Sequence, residues 1–171
     1  MKMAGQVSIK DLKDADIFAG LSDSSLEEIA RLCSQSVCQA GEYCAVQGET
    51  TDRLLIVNEG KVAIEMKVVA PSHTHTVTIA TLPAGRVCAW SALVPPHLLT
   101  ASVKCIESTQ MISISATDLQ RILEDSPLTG YAVIKNLAGI ISSRLRESYT
   151  QLVSLICEVI KQGEVEGSRK R

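Results

Sequence analysis

The stretch Leu82-Pro83-Ala84-Gly85-Arg86-Val87-Cys88-Ala89-Trp90-Ser91-Ala92-Leu93-Val94-Pro95-Pro96-His97-Leu98-Leu99-Thr100-Ala101-Ser102-Val103 decides the fold. It opens with Pro-x-Gly turn chemistry, which ends a strand. Trp90 to Val94 is a short apolar run, enough for one or two helical turns, and Pro95-Pro96 cannot continue it. Thr100 to Ile106 then reads as a strand. A strand, a tight turn, a short helix and a strand make a pocket wall. The backbone N–H groups at the helix start, from Ala89 to Ala92, are expected to be free to receive an anion.

On both sides of this stretch the residue period is about two. From Ser36 to Ser115, short runs rich in Val, Ile and Thr are broken by Gly and Pro. The expected strands are Val37–Gln39, Tyr43–Val46, Leu54–Asn58, Lys61–Val69, Thr76–Leu82, Val87–Cys88, Thr100–Ile106 and Gln110–Ser115. About eight short strands of this kind suggest a double sheet such as a jelly roll. Asn58-Glu59-Gly60 reads as a tight central hairpin. Residues 70–75, Ala-Pro-Ser-His-Thr-His, read as a polar hairpin loop.

Helices flank the strands. Residues 1–15 are polar, with room for a short helix. Ser22-Asp23-Ser24-Ser25 offers N-cap oxygens, Ser24-x-x-Glu27 fits a capping box, and Leu26, Ile29, Ala30 and Cys33 recur at helical spacing. Ser115-x-x-Asp118 caps a helix over 116–124. Pro127 suits the first turn of the next, which runs from about Leu128 to Lys161. Ala138, Ile141, Leu145, Ser148, Leu152, Leu155 and Val159 alternate by three and four, close to a heptad seam. A parallel homodimer through this helix is expected, and a helix folded back on its own barrel is the alternative. Gly163 is expected to end it. The predicted organisation is 1–127 for the β-roll with its flanking helices, 128–162 for the dimer helix and 163–171 for a polar tail.

The stretch resembles the phosphate-binding cassette of cyclic-nucleotide-binding domains, of the catabolite-activator-like type. The family pattern is roughly Pro-Gly-Asp-x-Phe-Gly-Glu-Leu-Ala-Leu, a short insert, then Pro-Arg-Thr-Ala-Ser-Val. Gly85, Ala92, Leu93, Thr100, Ala101, Ser102 and Val103 match it. Upstream, Ala40-Gly41-Glu42-Tyr43 with Gln47-Gly48-Glu49 is similar to the family's first glycine turns. Leu54 to Val62 is similar to its central hairpin. The resemblance covers about residues 16–150. It implies a mainly β jelly roll with an N-terminal helix and a long C-terminal helix. It also implies regulation by ligand binding coupled to that C-terminal helix.

The resemblance places the ligand contacts at Gly85, Ala89, Trp90, Ser91, Ala92, Leu99 and Thr100. Trp90 stands where the family's ribose-binding Glu belongs, Leu99 where its phosphate-pairing Arg belongs, and Ala89 where it has Gly. A buried phosphate needs a paired cation, and Arg supplies a bidentate one. Cyclic AMP and cyclic GMP are therefore a poor fit. With Leu98, Leu99, Ala89 and Ala92 the pocket is expected to be mostly apolar and suited to an uncharged or aromatic effector. Trp90 either shapes that pocket or plugs it. His97 is expected to be an exposed loop residue and Arg86 a surface turn residue.

The 171 residues carry a formal net charge of −2. That balance gives no general basic face, and the long helix leads into no helix-turn-helix, so direct DNA binding is not expected. A transmembrane run and a leader are not seen, which points to a soluble cytoplasmic protein without a membrane partner. The six cysteines have no Cys-x-x-Cys spacing and read as reduced core thiols. His73 and His75 could both face one metal if extended, as in cupins. Ile79, Ala80 and Cys88 stand where a cupin-type metalloenzyme needs its other ligands. No catalytic constellation or bound cofactor is expected. The expected function is a sensor or regulator, with a small-molecule effector and a separate output protein. A ligand-free homodimeric scaffold is the alternative.

Overall fold

A computed structural model of the chain describes residues 2–3, 6–69 and 74–169. Its elements in order are β1 (Lys2–Met3), α1 (Ile9–Lys13), a 3-10 turn (Asp16–Phe18), α2 (Asp23–Leu32), β2 (Cys33–Cys38), β3 (Tyr43–Ala45), β4 (Arg53–Glu59), β5 (Lys61–Val69), β6 (Thr74–Pro83), a second 3-10 turn (Trp90–Leu93), β7 (Ser102–Cys105), β8 (Thr109–Ser115), α3 (Ala116–Asp125) and α4 (Pro127–Arg169). The strands form two four-stranded sheets, ordered β1-β2-β8-β4 and β3-β7-β5-β6, with antiparallel pairing throughout. This is the expected jelly roll.

Alternation along the strands builds its interior. Leu55, Val57, Val62, Leu82, Val103, Cys105 and Met111 belong to one apolar cluster. Each fully buried Val or Leu side chain contributes about 1.5–3 kcal/mol. Asn58-Glu59-Gly60 is not the expected hairpin. β4 pairs with β8 in one sheet, and β5 pairs with β6 and β7 in the other, so this turn carries the chain between sheets. Gly60 adopts φ 89°, and a Cβ there would lie 2.9 Å from Ser108 O and from Thr109 Oγ1. Val87–Cys88 is not a strand either: it makes a single bridge, Ile56 to Val87. The first long strand starts earlier than expected, at Cys33, because Leu32 ends α2.

Caps set the helix starts. Of the N-cap residues offered at 22–25, Ser22 is the one used, its hydroxyl accepting from Ser25 N at 3.2 Å, so the box does not start at Ser24. Ser115 caps α3 as expected, accepting from Asp118 N. Pro127 opens α4. The helix continues through Gly163 to Arg169, beyond the expected end. One helical glycine costs only about 1 kcal/mol against Ala, too little to stop a long helix by itself.

The chain divides into two compact units, Met1–Leu137 and Ala138–Arg171. In the first unit the opening turns of α4 bury Thr129, Val133 and Leu137. Gly130 permits a close approach there, since a Cβ would meet Leu123 O at 2.6 Å. In the second unit α4 presents exposed Leu145, Leu152 and Leu155. Ile141 is half-buried, and the side chain of Val159 lies outside the described residues, as does His73. Among the described residues, no helix is long and apolar enough to cross a membrane.

Candidate functional site

The cassette begins where β6 ends. Gly85 adopts φ 81°, and its N–H donates to Val57 O at 2.8 Å. Val57 N donates to Arg86 O at 3.0 Å, and Cys88 N to Leu55 O at 2.9 Å. The segment 85–88 is thereby laid along β4. Ala89, Ser91 and Ala92 are buried in and before the short turn that follows, and Trp90 is half-buried. Ala92 N donates to Ala89 O at 3.4 Å, so this N–H, expected to be free, is used within the turn itself.

The far wall is pinned by the Gln47-Gly48-Glu49 turn. Gly48 N donates to Leu99 O at 2.8 Å, and Leu99 N donates to Glu49 O at 2.9 Å. These two bonds fix the backbone of Leu99 and aim its side chain inward. Leu99 is 5% exposed and packs with Ala89, Leu82 and Val103, with Ile64 and Ala80 against the same cluster. The expected apolar character of this interior is what the residues make. Leu98, by contrast, is exposed and adds nothing to it, and Thr100 is exposed as well.

Two surface assignments change. His97 is half-buried, with φ 61°, and its Nδ1 lies 2.9 Å from Ala92 O. It accepts from Thr51 N and donates from its own N–H to Val94 O, which makes it a clasp of the cassette loop. The reason is the reversal after Pro95-Pro96, which turns the ring back onto the loop. Beside it lies an open cleft of about 480 Å³, lined by residues that include Thr51, Asp52, His97 and Gln120. Arg86 is tied down too: its Nε lies 3.5 Å from Asp16 Oδ2.

Asp16 belongs to a segment that the sequence did not mark. Its N–H donates to Gly85 O at 2.8 Å, and its Oδ1 accepts from Val87 N at 3.0 Å. One and three residues further on, Ile17 O and Ala19 O accept from the side-chain amide of Asn136 on α4, at 3.1 and 2.9 Å. Residues 14–19 therefore touch the cassette turn on one side and the base of α4 on the other. Their partners are separated from them by up to 119 positions in the chain, so no local pattern reveals them.

Three thiols also come together. The sulfurs of Cys38, Cys44 and Cys105 lie within 4.8 Å of one another. Burial pushes the Cys38 thiol up to about 11 and raises that of Cys44 still more, so both are protonated at neutral pH. Cys33, elsewhere, is raised by burial to about 12 despite the nearby Arg53.

The sequence profile described as "Cyclic nucleotide-binding domain" matches residues 35–126, more than half of the chain. The chain belongs to the cyclic nucleotide-binding domain family, a family of regulatory domains. Solved structures agree on the fold. A cyclic nucleotide-binding domain from Methylobacillus flagellatus matches with TM-score 0.75 at 18% identity, covering 85% of this chain and 83% of that one. Thermus thermophilus Catabolite Activator Protein matches with TM-score 0.67 at 23% identity, covering 82% of this chain and 63% of that one. The regulatory subunit of a cAMP-independent protein kinase A from Trypanosoma brucei, a triple mutant bound to cAMP, matches with TM-score 0.68 at 18% identity, covering 84% and 48%. No curated protein sequence matches significantly.

Proposed function

We propose that this chain is a regulatory module of the cyclic nucleotide-binding family that does not take cyclic AMP or cyclic GMP. The observation that carries this reading is Leu99. It is buried in the apolar interior, where the resemblance puts a phosphate-pairing Arg. Removing one partner of a buried charge pair typically costs about 2–5 kcal/mol. That corresponds to roughly thirtyfold to several thousandfold in affinity. An effector of this interior would be uncharged and largely apolar. It would act through residues 14–19, whose bonds to Gly85 and Asn136 couple the cassette turn to the start of α4.

Output runs through α4 as a homodimer, with a separate protein reading the change. The support is the exposed apolar stripe Leu145, Leu152, Leu155 at heptad spacing. The module has no catalytic task in this reading. A ligand-free scaffold is the second reading, favoured by how fully Ala89 and Leu99 are buried.

The single tryptophan, Trp90, reports on the cassette. Titration of the full chain with cyclic AMP and with cyclic GMP should leave its fluorescence and the thermal midpoint unchanged into the millimolar range. Saturation at micromolar nucleotide would overturn the proposal.

A further inference from the structure

We propose that Cys38, Cys44 and Cys105 form a binding site for one thiophilic divalent cation of the zinc class. The three donors come from different places. Cys38 ends β2 in one sheet, while Cys44 in β3 and Cys105 in β7 belong to the other. Cys44 lies between the pairs Tyr43–Lys104 and Ala45–Val103, where the register shifts. That irregularity turns its side chain inward, beside Cys105. Their sulfurs are 3.2 Å apart, and all three lie within 4.8 Å of one another. Zinc–sulfur bonds of about 2.3 Å in a tetrahedron put neighbouring sulfurs about 3.8 Å apart. The cluster needs only sub-ångström to ångström adjustments to reach that geometry.

The turn over the cluster is ordered. Gly41 N donates to Cys105 O, Cys105 N donates to Glu42 O, and Glu42 Oε2 accepts from Gln39 N at 2.8 Å. The exposed carboxylate of Glu42 also faces the Cys38 thiol. The group within mutual reach is the three sulfurs, so water would take the fourth coordination position, and half-buried Cys44 gives an entry path from the surface. A disulfide would use two of these sulfurs and strand the third. Charge selects the ion class. Three thiolates leave one net negative charge on a divalent cation but two on a monovalent one, and this cluster borders the apolar interior. Each bound ion displaces the thiol protons to solvent. A bound ion would join the two sheets at one end of the roll.

The test is a titration of the reduced full-length chain, carrying Cys157→Ser to remove the exposed thiol, with Cd(II) as a spectroscopic stand-in. The expected result is a thiolate-to-metal absorption band that saturates at one equivalent and is displaced by Zn(II). Cys44→Ser and Cys105→Ser should each abolish the saturating band, while Cys33→Ser and Cys88→Ser leave it intact. X-ray absorption of the otherwise unmodified chain with one equivalent of Zn(II) avoids any folding defect of the variants. Three sulfurs near 2.3 Å are expected there. A first shell of nitrogen and oxygen, or a band that survives Cys44→Ser, would overturn the proposal.

Discussion

Replacing Gly85 with alanine tests whether the cassette turn is braced by the segment before it. Two effects add at this position. Gly85 sits at φ 81°, where a Cβ costs roughly 1–2 kcal/mol. That Cβ would also lie 2.5 Å from Asp14 O, a backbone atom that cannot move alone. Displacing Asp14 stretches the Asp16 N to Gly85 O bond and the Val87 N to Asp16 Oδ1 bond. Hydrogen bonds of this kind contribute about 0.5–1.5 kcal/mol each, and up to about 3 kcal/mol when one partner is charged. The expected loss is about 3–5 kcal/mol for Gly85→Ala. Gly20 provides the control, with φ 78° and nothing within 4 Å of an added Cβ. Gly20→Ala should cost only the backbone part, about 1–2 kcal/mol. Urea unfolding of both variants, followed by far-ultraviolet circular dichroism, measures the difference. Equal losses for the two would refute the brace.

Two further outcomes are expected. Leu145→Asp and Leu152→Asp should each convert a dimer into a monomer in sedimentation equilibrium without lowering the urea midpoint of the roll; a dimer that survives both changes rejects the helix seam. Stability should also fall in alkali. The Cys33 thiol ionises near 9 when free and near 12 in the folded chain, so its contribution is fully present below pH 9 and is lost as pH rises from 9 to 12. Cys33→Ala should flatten that part of the stability–pH curve, and an unchanged slope would show that the thiol is not desolvated.

The helix signals in the sequence are local. Ser115 and Asp118 meet as a cap because three positions apart is the capping geometry itself. That Leu99 is an inward, apolar position is legible for a similar reason: the match of Thr100 to Val103 fixes the position before them. Asn58-Glu59-Gly60 misled because one turn chemistry serves a hairpin and a sheet change alike; only the partner strands distinguish them. Ser22 displaced Ser24 as a cap because several serines compete there and geometry picks one. The thiol cluster was hidden because Cys44 meets Cys105 through β3–β7 pairing, 61 positions away. Asp16 was hidden likewise, 71 positions from Val87.

The strand order has a consequence for the ribosome. β8 lies between β2 and β4, so Ser34 and Ser113, 79 positions apart, must find each other before the first sheet exists. β3 waits in the same way for β7. During synthesis the hairpin of β5 and β6 can form early, but β2 and β4 emerge with open hydrogen-bonding edges. Such edges invite pairing with other chains. A nascent chain stalled before Thr109 lacks β8, the strand that joins β2 to β4, and its shelter until completion falls to whatever holds it at the tunnel exit.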